Sequence, residues 1–132
     1  MTAAINFLQA AAVAGGAAVG ALARWGTGLW LNERYASVAG FPLATLLVNL
    51  GGGLLIGMAM AWFGRNPNDL LKLLLVTGFL GGLTTFSAFS GESLALLQRG
   101  EVSLALWHGA LHTLGGLGCA AAGWRLMQQW QT

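Results

Sequence analysis

Apolar residues form four long runs along the chain, and short groups of charged and polar residues separate these runs. A helix needs about 20 mainly apolar residues to cross the roughly 30 Å hydrocarbon core of a bilayer. A lone strand in lipid would leave its backbone groups without hydrogen bonds, and no alternating barrel-type pattern is visible. The pattern therefore predicts an all-α membrane protein with four transmembrane helices, at about residues 5–31, 43–63, 70–97 and 102–127.

The connections between these helices are predicted to be very short. Pro42 and the Asn66-Pro67-Asn68 segment mark two boundaries, because proline disfavours helix in the residue before it. Apolar residues make up 56% of the chain and charged residues only 8%, against about a quarter in soluble domains. We therefore expect a single transmembrane domain over residues 1–132. The first run is expected to be a mature helix and not a signal peptide, since no Lys or Arg precedes it.

Basic residues are shared almost equally between the two sides of the predicted bundle. Arg65, Lys72 and Arg125 lie on the side of the termini, and Arg24, Arg34 and Arg99 lie on or near the other. The positive-inside rule therefore does not predict which side of the protein faces the cytoplasm. Two interpretations stay open: a weak bias that suffices for one orientation, and a dual topology in which copies insert both ways and pair antiparallel.

Small residues recur at four-residue spacing in the predicted spans. They form stripes that permit close helix packing in lipid, where hydrophobicity contributes little to helix association. The stripes are Gly16/Gly20, Gly53/Gly57, Gly78/Gly82 and Gly115/Cys119/Gly123. Four thin helices make a poor aqueous path by themselves, so we expect a homodimer.

The third span is predicted to break near its middle. Glycines at 78, 81 and 82 and the adjacent Thr84 and Thr85 are poor helix formers. Irregular backbone at membrane depth survives only inside protein or beside a water-filled cavity, where its carbonyls and amides can bind ions. The alternative is a continuous helix with a packing groove.

Several polar and aromatic side chains surround the predicted break. Phe86 and Phe89 are three residues apart and alternate with Ser87 and Ser90, and the positive edge of a phenyl ring can face an anion. In span two, Asn49 is costly in lipid unless it is bonded, and Thr45 lies one turn earlier on the same face. Core packing and an interhelical hydrogen bond are the alternatives for these aromatics and for Asn49.

Together these segments resemble the CrcB/Fluc family of fluoride channels over nearly the whole chain. The resemblance rests on residues 20–25 (Gly-Ala-Leu-Ala-Arg-Trp), on Thr45 to Asn49 with the two glycines that follow, and on residues 78–87 (Gly-Phe-Leu-Gly-Gly-Leu-Thr-Thr-Phe-Ser). It implies a passive, fluoride-selective channel, not an enzyme, that exports F⁻ and lowers fluoride toxicity. It also implies an antiparallel, dual-topology homodimer in the bacterial inner membrane, with no nucleic-acid partner.

The resemblance also implies roles for individual residues. Phe86 and Phe89 would line the pores with their ring edges toward fluoride, and Asn49 would donate its amide to the ion. Carbonyl oxygens of Gly81 and Thr84 from both subunits would hold a structural Na⁺, an arrangement that suits a hard cation. The remaining wall and vestibule residues that it implies are Thr45, Thr85, Ser87 and Arg24.

The fourth span departs from the family pattern. His108 and His112 stand where Tyr or Ser is expected on the pore side, and they are candidate pore residues that could act as neutral donors. Protonation would add positive charge beside an anion path, so we expect a modest pH effect on conductance. A metal site with Cys119 would lack further ligands, and helix-packing histidines are another alternative. Glu92 is a candidate partner for a basic group near the vestibule.

Three other functions are alternatives to a fluoride channel. A proton-coupled multidrug exporter needs a buried carboxylate, but the first span contains no Asp or Glu. An intramembrane serine protease could use Ser87 or Ser90 with His108 or His112, but no G-x-S-x-G motif is present. An assembly subunit is not excluded by any feature of the sequence.

Overall fold

The computed structural model describes residues 6–35 and 40–132, and within these ranges it contains helices and turns but no strand. The first two helices are α1 (Phe7–Tyr35) and α2 (Leu43–Arg65). Helix α3 covers residues 69–83 as Asp69–Lys72, Leu73–Leu80 and Gly81–Leu83. Helix α4 is Phe86–Gln98. Helix α5 covers residues 102–130 as Val102–Ala110, Leu111–Gly115 and Gly116–Trp130.

The helices extend beyond the predicted spans at several ends. Helix α1 continues to Tyr35, past the predicted end at residue 31, and α5 continues to Trp130. A helix can continue past its apolar stretch, because its backbone bonds are satisfied internally in lipid and water alike. The predicted start of the first span at residue 5 lies outside the described residues.

Among the described residues, three helical segments are long and apolar enough to cross a membrane: Phe7–Arg34, Leu43–Arg65 and Asp69–Gln98, the last of which comprises α3, the break and α4. Large apolar side chains on the outside of the bundle, such as Leu22 and Leu117, are well exposed, as expected of a chain whose solvent is lipid. The helical and membrane character of the chain is therefore confirmed. Helix α5 corresponds to the fourth predicted span, and its crossing of the membrane stays a prediction.

The predicted break in the third span is present and lies at the two threonines. Thr84 (φ −87°, ψ 154°) and Thr85 (φ −149°, ψ 117°) are extended and separate α3 from α4. The Thr85 hydroxyl caps α4 by accepting a hydrogen bond from the Ala88 amide at 3.1 Å. Before the break, Leu73–Leu80 is wound as a π-helix, a wider form often found at functional sites.

Glycines bring the helices together in two close pairs. In the α1–α3 pair, a Cβ on Gly20 would overlap the backbone carbonyl of Phe79, and one on Gly82 would overlap that of Ala17. In the α2–α5 pair, a Cβ on Gly57 would overlap the Ala120 carbonyl. The predicted small-residue stripes are thus packing surfaces within the chain. A small core of Val48, Leu80 and Leu83 joins α2 to α3.

Candidate functional site

Asn49 holds the broken segment in place from the neighbouring helix α2. Its side-chain Oδ1 accepts a hydrogen bond from the Thr85 amide at 2.8 Å, and its Nδ2 donates to the Thr85 carbonyl at 3.0 Å. The same Nδ2 lies 3.1 Å from His112 Nδ1. Asn49 therefore supplies the hydrogen bonds that the extended backbone at Thr85 loses by leaving the helix. Its predicted role as a direct donor to fluoride stays a prediction, since both amide hydrogens have protein acceptors here.

The break also changes the partners of two backbone carbonyls. In a continuous helix the Gly81 carbonyl would accept from the Thr85 amide, and the Thr84 carbonyl from the Ala88 amide. Here the Thr85 amide donates to Asn49 and the Ala88 amide donates to the Thr85 hydroxyl. These are the two carbonyls implied as Na⁺ ligands, and oxygen donors of this kind fit a hard cation. Gly81 is exposed on the outside of the bundle.

Arg24 of α1 reaches the same break from the other side. Its Nε donates to the Gly82 carbonyl at 3.1 Å, which would otherwise accept from the Phe86 amide. Arg24 also lines a cavity of about 470 Å³ together with Thr45, Thr85 and Glu92. We call it the Arg24 cavity. A guanidinium beside such a cavity attracts anions.

A second cavity, the Phe86 cavity, also borders the break, and Thr85 lines both cavities. Its volume is about 380 Å³, and no residue that lines it is charged. The Phe86 and Phe89 rings are tilted at 48° with centroids 5.6 Å apart, and Phe86 is 79% exposed. Ser87 is exposed outside the cavity lining, with its hydroxyl 3.2 Å from that of Thr85. The lining residues are Asn49, Thr84, Thr85, Phe86, Phe89, His112 and Thr113.

Between the two cavities, a buried histidine contacts a carboxylate. His108 is completely buried, its Nε2 lies 3.2 Å from Glu92 Oε2, and its Nδ1 lies 2.9 Å from the Ser93 hydroxyl. The other carboxylate oxygen of Glu92 accepts a hydrogen bond from the Thr45 hydroxyl. The partner of Glu92, which the sequence could not identify, is therefore His108 together with Thr45. The Phe41 ring meets His108 edge-on at 5.6 Å.

His112 connects this pair to the Phe86 cavity. Its ring centroid lies 4.5 Å from those of both His108 and Phe89. A ring nitrogen of each histidine and a Glu92 oxygen lie within 4.8 Å of one another. We call Glu92, His108 and His112 the histidine–glutamate cluster. His108 lies about one turn before the π-helical stretch of α5, Leu111–Gly115, and His112 lies within that stretch.

The structure brings together most of the residues that the sequence singled out. Thr45 and Arg24 meet at one cavity, and Phe86, Phe89 and Asn49 meet at the other. Thr85 lines both. Cys119 is not part of the cluster, because it packs against Gly53 in the α2–α5 pair. A metal site of the two histidines with Cys119 is therefore not formed.

Two contacts of the cluster were missed by the sequence analysis. Ser93 follows Glu92 directly in the third span, and this pair of polar residues within an apolar segment could have indicated that Ser93 also contacts a polar side chain. Phe41 lies in the connection before α2, and no sequence pattern connects it to the fourth helix. Its contact with His108 arises only from the packing of the bundle.

The fold and the site define a polytopic membrane protein that places polar groups within its membrane-length helices. Comparison with known families agrees, since the model of the CrcB-like proteins, described as Camphor Resistance (CrcB), matches residues 11–124. The chain belongs to this family.

Relatives with similar sequences carry one name. A protein of Aromatoleum aromaticum is 47% identical over 99% of both chains, and one of Bordetella petrii is 50% identical over 90% of this chain and 88% of its own. One of Pseudomonas aeruginosa is 49% identical over 80% of this chain and 83% of its own. Each is named fluoride-specific ion channel FluC. These names describe ion channels and not enzymes, which confirms the expectation of a protein without enzymatic activity.

Proposed function

We propose that this protein is a fluoride-selective, passive ion channel. The observation that carries the proposal is the uncharged Phe86 cavity, where the Phe86 and Phe89 rings lie beside a broken helix together with Thr85 and Thr113. Ring edges, hydroxyls and N–H groups are suitable partners for a small anion. The names of the relatives supply the identity of the ion.

The path runs from the Arg24 cavity through the histidine–glutamate cluster to the Phe86 cavity. Arg24 draws anions toward the first cavity. Thr85 lines both cavities and so marks the shared wall between them. A narrow path with fixed donors strips part of the hydration shell of the ion and so selects by size and donor geometry.

Flow through the channel is outward from the cell. Hydrogen fluoride crosses membranes as a neutral acid and dissociates in a less acidic cytoplasm, where F⁻ is trapped. An inside-negative potential favours exit of the anion by about 2.3 kcal/mol per charge per 100 mV. The channel thus lowers fluoride toxicity, and its location is the bacterial inner membrane.

The working unit is an antiparallel homodimer with a structural Na⁺ at its centre. The balance of basic residues between the two sides is compatible with insertion both ways. Gly81 and Phe86, on either side of the break, are both exposed on the outside of the bundle, so a second copy could cover them. The carbonyls of Gly81 and Thr84, whose usual amide donors are turned elsewhere, would then come from both copies to the cation.

Ion efflux from liposomes tests the function directly. Reconstituted protein should release fluoride and retain chloride, whereas comparable chloride efflux would refute the proposal. Phe86→Ile and Phe89→Ile should each slow fluoride sharply while the oligomeric state in detergent is unchanged. Phe7→Ile is the matched control, because Phe7 is 91% exposed at the start of α1 and lines neither cavity. Wild-type rates in both pore variants would show that these rings serve packing alone.

A further inference from the structure

The orientation of the Asn49 side-chain amide is fixed by the backbone of a single residue. Thr85 offers one N–H and one C=O, and they contact Asn49 Oδ1 and Nδ2 respectively. Exchanging the oxygen and nitrogen of the amide would set donor against donor and acceptor against acceptor. The group that Asn49 presents to His112 is therefore an N–H donor.

This donor determines the protonation of the His112 ring. A neutral imidazole carries its proton on one nitrogen and accepts at the other. Because His112 Nδ1 faces the Asn49 N–H at 3.1 Å, Nδ1 must be the acceptor. The ring proton then lies on Nε2. Imidazolium is disfavoured at this position, because it would place two donors against each other.

His112 Nε2 is also buried without a hydrogen-bond partner among the described residues. An unsatisfied buried donor is rare and calls for an explanation, such as an ion that occupies the site in the working protein. The polar groups of the cluster are bonded elsewhere, Glu92 to Thr45 and His108, and none of them lies within hydrogen-bond distance of His112 Nε2. The free N–H of His112 is thus the donor that the cluster leaves unused.

The same arrangement argues against a cation at the cluster. Two histidines and a carboxylate within 4.8 Å have the composition of a transition-metal site. A metal needs an unprotonated ring nitrogen, and in the Nε2–H form the one lone pair of His112 already faces the Asn49 donor. The group hydrogen-bonded to the other ring nitrogen of a metal-binding histidine accepts an N–H from it, whereas Asn49 donates one. The unused Nε2–H of His112 is a donor that fits an anion.

We infer that the Nε2–H of His112, with its tautomer fixed by Asn49, is a direct fluoride donor at the wall of the Phe86 cavity. The inference rests on the proposed function and names one binding group of the ion path. A neutral donor binds an anion less strongly than imidazolium would, and conduction requires that the ion also leave. Asn49 then acts as a positioning residue for His112 as well as for the break.

Nitrogen NMR tests the tautomer independently of ion flux. The chain contains only two histidines, so the ¹⁵N-labelled full-length protein, free of any histidine tag, gives two ring systems. His108→Gln assigns them. We expect a protonated Nε2 and an unprotonated Nδ1 for His112, and a shift of the Nε2–H signal with sodium fluoride but not with sodium chloride. A protonated Nδ1, an equal response to both salts, or binding of equimolar Zn²⁺ through Nε2 would overturn the inference.

Fluoride efflux from liposomes tests the donor. Gln places an amide N–H near the position of Nε2, so His112→Gln should keep most of the fluoride flux. His112→Leu removes the donor and should lower the flux about tenfold or more, the effect of losing one hydrogen bond to a charged group. Equal flux in the two variants, with both running as wild type on size exclusion, would refute direct donation.

The two proposals fail in different ways. A wild-type protein that releases no fluoride refutes the channel function and the inference with it. Normal fluoride release together with the wrong His112 tautomer, or with full flux in His112→Leu, refutes the inference alone.

Discussion

Replacing Asn49 by Leu should destabilise the protein because two partly buried backbone groups at the helix break would then face an apolar side chain. The Thr85 N–H and C=O bond to Asn49 at 2.8 and 3.0 Å. An unsatisfied buried donor or acceptor costs about 1–3 kcal/mol. Because Thr85 is only partly buried, Asn49→Leu should lower the free energy of unfolding by about 1–3 kcal/mol in total, less than the full cost of two buried groups.

Intermediate and control variants separate this effect from a general cost of substitution. Asn49→Ala removes the same two hydrogen bonds but leaves space beside the Phe86 cavity from which water can reach Thr85, so its stability should lie between those of Asn49→Leu and wild type. Asn66→Leu is the matched control. Its amide donates to the Trp62 carbonyl at 3.2 Å at an exposed helix end, where water replaces the lost bond, and it should cost less than about 1 kcal/mol.

The assay is equilibrium unfolding in mixed micelles, together with hydrogen exchange at the Thr85 amide. Exchange at this amide should rise strongly in Asn49→Leu and stay unchanged in Asn66→Leu. Equal stabilities for the two leucine variants would refute the reasoning. So would a protected Thr85 amide in Asn49→Leu, because it would show that another group satisfies the break.

Two further predictions concern α1. Gly16→Ala should destabilise the protein by about 1–3 kcal/mol, because a Cβ at Gly16 would overlap the backbone of α3. Gly15→Ala is the control: its Cβ meets nothing within 4 Å, so the variant should be neutral or slightly stabilising in the same unfolding assay. Equal effects of the two substitutions would show that α1 and α3 are not in close contact. Arg24→Met should slow fluoride efflux more at low than at high ionic strength, because salt screens the attraction of anions to the Arg24 cavity. Arg34 is the control, since its guanidinium stacks on Trp30 at 4.9 Å and does not line that cavity. Arg34→Met should therefore show no such salt dependence.

The helices and the break could be predicted because they depend on local sequence. Runs of apolar residues specify helix in lipid whatever surrounds them. The glycines and the Thr84-Thr85 pair weaken the third helix locally, and the chain does leave the helix at these threonines. Small-residue spacing likewise indicated which helix faces pack closely.

The partners of the polar side chains could not be predicted, because they come from different helices. Asn49 was identified as a buried amide, yet its pairing with the Thr85 backbone depends on how α2 packs beside the break. Glu92 and His108 lie on consecutive helices whose relative rotation sets their 3.2 Å contact. Composition and spacing do not determine that rotation.

The support that Asn49 gives to Thr85 has a consequence for membrane insertion. The groups that stabilise the interruption belong to a helix that precedes it in the chain, so α2 is already made when residues 69–98 emerge from the ribosome. A third span inserted without α2 would satisfy the N–H and C=O of Thr85 most readily as one unbroken helix. We therefore expect the break at Thr85 to form only when α2 is packed beside the third span, since Asn49 supplies its hydrogen bonds.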